Sequence, residues 1–326
     1  MHPAFSVIFL TTLIGAGQGF FLALVTGQVY SLAKLLEPQD SLNFYALGSA
    51  LALLLLVAGL FASFFHLGRP ERAWRSVAGW RTSWLSREVI VLPLFMALVF
   101  CYGLLHYLGW TQPLFVIRGV ISVDGSLILG VLGAVAAFAL YGCTAMIYAS
   151  VKFLEEWHSP LTVANFTLMG LASGFTLAAA FSAWSGIQLV GFFGTWAVIF
   201  TVMAAASRII SLRRNAGLKH KTTLQTAIGV RHPVIRQISQ GFMGGSFNTR
   251  EFFHGASDTT TRFVLWLFLL CAFLLPVILL AASYSMASPY LPFFAIVIQY
   301  LGLLAERWYF FVEAKHPQNL YYQSMA

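Results

Sequence analysis

The chain has 326 residues, of which 59% are apolar and 9% are charged, and its mean hydropathy is +0.79. Soluble domains are usually about 45–50% apolar, so the composition excludes a soluble globular protein and indicates a polytopic membrane protein. The formal net charge of +8 is explained by membrane topology, because the sequence holds no motif typical of RNA or DNA binding.

Eight stretches are apolar and long enough to cross a bilayer, which takes about 20 helical residues. The first lacks the cationic start and the cleavage site of a secretory signal, so it is predicted to be a retained span. Because lipid offers no partner for backbone polar groups, the spans are predicted to be helices. The expected fold class is all-α, one integral-membrane domain over 1–326, with spans at about 5–34, 42–66, 87–108, 119–150, 161–183, 187–211, 262–284 and 289–311.

Small residues at helical spacing within three of the spans are predicted to let the helices approach each other closely. They are Gly15 and Gly19, then Gly130, Gly133 and Ala137, and finally Gly170 and Gly174.

The distribution of Lys and Arg predicts the orientation of the bundle. With eight spans, both termini and the connections after the second, fourth and sixth spans share one side. All of the 19 Lys and Arg residues except Lys34 and Arg118 belong to that side. The positive-inside rule therefore places both termini in the cytoplasm.

The connection between the second and third spans carries the densest group of charges. It begins with His66-Leu67-Gly68-Arg69-Pro70 and ends with Arg81-Thr82-Ser83-Trp84-Leu85-Ser86-Arg87-Glu88. Ionisable residues near membrane depth are costly and usually functional. Pro70 is expected to end the second span, and His66 and Glu88 are expected to face each other at the cytoplasmic level.

His66 and Glu88 form a predicted pair of proton donor and acceptor. A quinone head group takes up or releases one proton at each carbonyl as electrons move, so this pair indicates a site for ubiquinone or menaquinone. Aromatic walls are available from Trp74, Trp80 and Trp84. The predicted quinone-binding residues are His66, Glu88, Arg69, Arg81, Ser86 and Tyr148.

Less specific interpretations of the same residues are open. His66 and Glu88 would fix two helix ends as an interfacial ion pair, the tryptophans would form an interfacial belt, and the arginines would only set topology. A single haem between His66 and His158 is a further alternative. No haem is expected, because a transmembrane haem path needs histidine pairs at several depths and His106 lies alone on the other side.

The chain is predicted to depend on a partner for its electrons. Cys101, Cys143 and Cys271 lie in separate apolar stretches without a neighbouring Cys or His at ligand spacing, which argues against disulfides, zinc and Fe–S clusters in this chain. The partner must then approach the quinone from the cytoplasmic side.

A long polar segment at about 212–261 is predicted to be a cytoplasmic docking surface for another subunit. Segments of this length are usually functional or disordered, so a mobile loop is the alternative. Its glycines alternate with Phe242, Phe247, Phe252 and Phe253.

These blocks, together with Trp157-His158-Ser159-Pro160-Leu161-Thr162, Glu306-Arg307-Trp308 and His316-Pro317-Gln318-Asn319-Leu320-Tyr321-Tyr322, resemble the DmsC family. Its members are the membrane anchor subunits of dimethyl sulfoxide reductase and related molybdenum enzymes. The resemblance implies an eight-span anchor without haem in a bacterial cytoplasmic membrane. It also implies a four-cluster Fe–S subunit and a molybdopterin catalytic subunit as partners, and a quinol site at the histidine and glutamate that match His66 and Glu88.

The predicted orientation makes the chain more similar to SoeC-type anchors of cytoplasmic sulfite-oxidising enzymes than to anchors of reductases outside the membrane. The expected function is to pass electrons from the Fe–S partner to quinone during sulfite oxidation, with the substrate chemistry in another chain. The alternatives are quinol oxidation for a dimethyl sulfoxide reductase-like enzyme, a purely structural anchor and a secondary transporter. A transporter is disfavoured because ionisable residues lie at the span ends rather than near the midplane.

Overall fold

The computed structural model describes residues 1–117, 121–185, 188–219, 221–236, 238 and 250–321. Within this part of the chain, eight helices are long and apolar enough to cross a membrane, which confirms the predicted fold class. They are α1 Phe5–Leu32, α2 Ser41–His66, α3 Trp84–Tyr107, α4 Gly125–Ala149, α5 Pro160–Ser185, α6 Leu189–Ala216, α7 Asp258–Met286 and α8 Leu291–Glu313.

Two of the spanning helices change their winding along their length. In α2, a π-helical turn at Ser41–Ala46 precedes regular helix, and a 3₁₀ turn at Phe64–His66 ends it. In α7, a π-helical segment at Leu269–Leu274 lies just before Pro276. Pro276 has no backbone N–H to donate, so a widened turn before it is expected.

The second span ends at His66, as predicted, because the backbone of Leu67 is extended. Pro70 does not end this span, as had been expected, but begins a 3₁₀ segment at Pro70–Gly79. One helix boundary differs clearly from the predicted spans. The fourth helix begins at Gly125, not near 119, because the Asp124 carboxylate accepts a hydrogen bond from the Leu127 amide at 2.7 Å and so caps it.

A two-stranded antiparallel hairpin precedes that cap. β1 Phe115–Ile117 pairs with β2 Ile121–Val123, with Phe115 opposite Val123. Ile121 and Val123, which the apolar pattern assigned to the fourth span, are β-branched and form β2 instead. Elsewhere, a short helix at Leu224–Ile228 lies within the predicted docking segment, and a 3₁₀ segment at Pro317–Tyr321 follows α8.

The centre of the bundle is formed by α1 and α5. Helix α1 packs against α2, α4 and α5, and α5 packs in turn against α6 and α8. A Cβ atom on Gly174 would lie 2.0 Å from the backbone carbonyl carbon of Gly19. The two helices can therefore cross this closely only with glycine at both positions, as the small-residue pattern predicted.

The N-terminus and the end of α8 meet at one end of the bundle. The amino group of Met1 donates a hydrogen bond to the carbonyl of Ala314, just past α8, at 2.8 Å. We call this end the terminal face. Because the spans alternate in direction, α3 begins and α4 ends at the terminal face, and the connection from His66 to Glu88 lies there too.

Candidate functional site

The start of α3 is held rigidly at the terminal face. The Ser83 side chain caps the helix and accepts a hydrogen bond from the Ser86 amide at 3.4 Å. Arg87 donates to the carbonyl oxygens of Trp80 and Arg81 at 3.0 and 2.9 Å. Its guanidinium also lies 4.2 Å from the centre of the Trp84 ring. These contacts fix the turn before α3 and so fix the direction of the next residue, Glu88.

Glu88 points into the bundle and is only 8% exposed. Its Oε1 accepts a hydrogen bond from the Thr144 hydroxyl of α4 at 2.5 Å. Glu88 also borders a cavity of about 20 Å³, which we call the inner cavity. Five helices contribute its polar boundary, which comprises Thr11, Thr12, Gln18, Glu88, Tyr141, Thr144, Ser173 and Arg307.

A row of four charged side chains lies between α6 and α8, three of them buried and one, Glu313, partly exposed; Arg307 at one end of the row borders the inner cavity. Arg208 Nε is 2.8 Å from Glu306 Oε1, and Arg208 Nη1 is 3.3 Å from Glu313 Oε2. The other oxygen of Glu306, Oε2, is 3.3 Å from Arg307 Nε. We call Glu313, Arg208, Glu306 and Arg307 the ion-pair chain. Arg208 and Glu306 are each 1% exposed.

Sequence reasoning did not assign a role to the ion-pair chain. Arg208 and Arg307 were counted with the positive residues of the terminal side, yet both are buried within spans. A detectable signal was present in the sequence. Glu306 and Arg307 are adjacent charges inside an otherwise apolar span, where ionisable residues are expensive.

The structure separates the predicted quinone-binding residues into two groups. Glu88 and Ser86 are buried at the start of α3, whereas His66, Arg69 and Arg81 are exposed at the terminal face. Glu88 hydrogen-bonds to Thr144 on α4, and His66 does not border the inner cavity.

Tyr148 belongs to an aromatic cluster next to the inner cavity. Its ring stacks on Phe166 with centroids 5.4 Å apart, and Phe166 lines the cavity. The edges of Trp157 and Phe310 complete the surroundings, with ring centroids 5.3 and 5.4 Å from that of Tyr148. Tyr148 thus contacts Phe166, which lines the same cavity as Glu88.

The far end of the bundle holds a second set of buried polar groups, which we call the opposite-end network. Tyr102 donates to Gln28 Oε1 at 3.0 Å, Gln28 donates to Ser126 at 2.7 Å, and Ser126 donates to Asp124 at 2.7 Å. Beside it, the His106 ring stacks on Tyr45 of α2 with centroids 4.5 Å apart. This histidine is thus held in place by an aromatic neighbour.

The family model for the DMSO reductase anchor subunit (DmsC) matches residues 1–311. The chain belongs to this family. It is also 63% identical over 326 residues, the full length of both proteins, to a sulfite dehydrogenase subunit of Allochromatium vinosum. The predicted resemblance to the DmsC family is thereby confirmed, and the protein is a multi-pass membrane protein of the anchor-subunit type.

The family match includes most of the site. Glu88, Arg208, Glu306 and Arg307 lie within the matched residues, whereas Glu313 follows their end by two positions. Comparison with these relatives assigns no role to any of these side chains, so the roles proposed below depend on the geometry.

The described parts of the predicted docking segment also lie at the terminal face. Its residues 241–249, including Phe242 and Phe247, lie outside the described part of the chain. At its described end, the Phe252 ring stacks on His316 with centroids 3.7 Å apart, and the Asn319 side chain donates to the Phe252 carbonyl at 3.1 Å. Burial lowers the pKa of His316, and the nearby N-terminal amino group lowers it further.

His158, the other half of the alternative haem pair, is also at the terminal face. Its Nδ1 lies 2.6 Å from the carbonyl oxygen of Ala149, at the end of α4. This contact directs the ring toward the backbone of its own connecting turn.

Proposed function

We propose that this chain is the membrane anchor and quinone-reducing subunit of a molybdopterin enzyme complex that oxidises sulfite. In this proposal the terminal face is cytoplasmic, in the inner membrane of a bacterium, and binds a four-cluster Fe–S subunit that connects to the catalytic subunit. Membership of an anchor-subunit family supports the anchor role, and similarity to a protein named as a sulfite dehydrogenase subunit supports the substrate. The positive residues of the terminal side support the orientation.

The observation that carries the quinone assignment is the placement of Glu88. A carboxyl group that is nearly fully buried, hydrogen-bonded to Thr144 and one turn inside α3 is costly for stability. It lies below a surface segment that bears His66 and exposed tryptophans, among them Trp74 and Trp80. Such a site offers proton exchange beside an aromatic, membrane-level surface.

The inner cavity is too small for a quinone ring, because about 20 Å³ is little more than the 10–15 Å³ that one water needs. The quinone is therefore proposed to approach Glu88 from the side of His66, with Arg69 and Arg81 supplying positive charge near its oxygens. Ser86, at the start of α3, and Tyr148, behind the cavity wall, are proposed to support the site from its buried side.

Quinone reduction needs two electrons and two protons. The electrons come from the Fe–S partner at the terminal face, and each quinone oxygen takes one proton, which Glu88 and His66 supply. The products are quinol and the deprotonated side chains, which regain protons from water.

The test compares two activities of the purified complex or of native membranes. Glu88→Gln and His66→Ala should each lower sulfite oxidation coupled to quinone by at least about tenfold, which corresponds to 1.4 kcal/mol in the barrier. Oxidation of sulfite with an artificial dye should stay unchanged. Glu71→Gln is the matched control, because Glu71 is an exposed glutamate of the same surface segment.

Two outcomes would contradict this assignment. Equal loss of both activities would show that the residues only support folding or docking. Unchanged quinone coupling would place the quinone elsewhere.

A second candidate is the reverse reaction, in which quinol is oxidised to drive reduction of a substrate such as dimethyl sulfoxide. The description of the matched family, which names a reductase, favours it. Mild-detergent purification of this chain with its partners, followed by assays with sulfite and with dimethyl sulfoxide, decides between them. A chain that purified alone and without quinone would instead support a transporter.

A further inference from the structure

A second cavity lies at the terminal face, where α6 and α8 end and α7 begins. Its volume is about 520 Å³, which is within the range of about 300–1,000 Å³ that is usual for small-ligand sites. The connection between α4 and α5 forms the remaining side. We call this the terminal-face cavity. None of the residues proposed to bind quinone borders it, so it is a separate place in the fold.

Four charged side chains line the terminal-face cavity, and the two acidic ones already face a cation. Glu313 contacts Arg208 at 3.3 Å, and the charge of Glu156 interacts with the N-terminal amino group. The two basic ones, Arg213 and Lys315, are exposed. Among the described residues, neither of them forms an ion pair with an acidic side chain. The lining therefore offers two cations to a ligand.

The membrane side of the terminal-face cavity is apolar. The first part of α7, Asp258–Phe268, packs against α8, whereas its last part, Leu275–Met286, also packs against α6. Helices α6 and α7 are therefore farther apart near the terminal face. Leu212 of α6 and Leu265 of α7 line the cavity there, are half-buried and belong with Leu269 to one apolar cluster. This groove has the chemistry of an acyl-chain site.

Membrane topology alone explains basic residues at the ends of spans. It does not explain why two of them share a cavity that has an apolar floor. Basic pockets between spans on the cytoplasmic side of a membrane are suited to anionic lipid headgroups. A free phosphate ion would satisfy the two cations and leave the apolar floor uncovered, whereas a phospholipid would cover both parts.

We propose that the terminal-face cavity binds one anionic phospholipid. The lipid phosphate lies between Arg213 and Lys315, and an acyl chain lies along Leu212 and Leu265. The Asn215 amide, which also lines the cavity, can donate a hydrogen bond to the headgroup. The bound lipid then joins the start of α7 to the end of α6, which do not pack directly against each other. The inference goes beyond the proposed function and does not depend on quinone.

The test measures the phospholipid that stays with the full chain and its bound subunits during purification in mild detergent. We expect one phosphatidylglycerol or cardiolipin per chain, identified and counted by mass spectrometry. Arg213→Gln combined with Lys315→Gln should lower this amount by about tenfold or more, because each basic residue near the surface attracts anionic lipid. Arg72→Gln combined with Lys152→Gln is the matched control, because both residues are exposed on the terminal face outside the cavity.

A second variant separates a lipid from a free phosphate ion. Leu265→Trp keeps both cations but fills the apolar groove, so bound phospholipid should fall in this variant as well. Inorganic phosphate added to the wild type should not displace the lipid.

A measurement on the wild type alone keeps the test decisive if the variants fail to assemble. Phosphatidylglycerol returned to the delipidated wild type should raise its melting temperature more than phosphatidylcholine does. Wild-type retention of anionic lipid in the double variant, retention of zwitterionic lipid instead, displacement by inorganic phosphate or equal stabilisation by both lipids would overturn the proposal. None of these readouts uses quinone or sulfite, so failure of the proposed function would leave them unchanged.

Discussion

The two ends of the bundle bury polar groups in different ways. At the terminal face, the carboxyl group of Glu88 borders the inner cavity, and the ion-pair chain buries charged side chains beside it. In the opposite-end network, Tyr102, Gln28 and Ser126 are neutral, and they pass a sequence of hydrogen bonds to the single carboxylate of Asp124, which also caps α4.

This difference is why we propose the reaction site at the terminal face rather than at the opposite end. In the opposite-end network each side chain hydrogen-bonds to the next, and the last one, Asp124, caps α4. The need to satisfy buried polar groups therefore explains this network. At the terminal face, charged side chains are buried within the spans, and Glu88 and Arg307 each border a cavity with room for about one water. Burial of polar groups alone therefore does not distinguish the two ends, and our proposal depends on the buried charges and the cavity of the terminal face.

The largest expected effect is on stability, from Arg208→Met. This change leaves the buried Glu306 and the partly exposed Glu313 without their shared cation, and removal of one partner of a buried pair costs about 3–5 kcal/mol. Thermal unfolding in detergent, or the amount of chain in membranes, measures the loss. Arg213→Met, on the exposed side of the same helix, should cost less than about 1 kcal/mol. Equal effects of the two variants would contradict the assigned burial.

An intermediate effect is expected from Thr144→Val, which removes the hydroxyl that donates to Glu88. A hydrogen bond to the carboxylate that forms when Glu88 gives up its proton contributes about 1.5–3 kcal/mol, so quinone-coupled turnover should fall about tenfold or more. Dye-coupled turnover is the internal control. Turnover that stays as in the wild type would mean that the direction of the Glu88 carboxyl group does not matter for the reaction.

The smallest effect on turnover is expected from Tyr102→Phe, which also removes one buried hydroxyl, but in the opposite-end network. Stability should fall by about 1–2 kcal/mol, because Gln28 Oε1 loses its donor. Both turnover rates should stay within about twofold of the wild type. A selective loss of quinone-coupled turnover in this variant would place a reaction step at the opposite end and contradict the proposed site.

Most of the fold could be predicted from the sequence, because membrane spans are set by length and hydropathy alone. The eight helices, and the close crossing at Gly19 and Gly174, followed from composition and small-residue spacing. The start of α4 could not be predicted, because the β-branched residues before Asp124 are as apolar as a span but form a hairpin.

The site was predictable only in part. Glu88 stood out because it was a charge at a span end, and the structure places it inside the bundle. Its partner Thr144 and the neighbouring Arg307 come from helices far away in sequence, and helix packing rather than local pattern brings them to the same cavity. The positive-inside rule counts every Lys and Arg near a span end in the same way, so it gave no indication that Arg208 and Arg307 are buried.

The most direct test of the central claim is to label the intact complex with a photoreactive quinone and to map the modified peptides of this chain. We expect label at the end of α2 and the start of α3, around His66 and Glu88, and a loss of that label in excess unlabelled quinone. Label concentrated instead around Ser41, His106 and Asp124, beside the opposite-end network, would contradict the account.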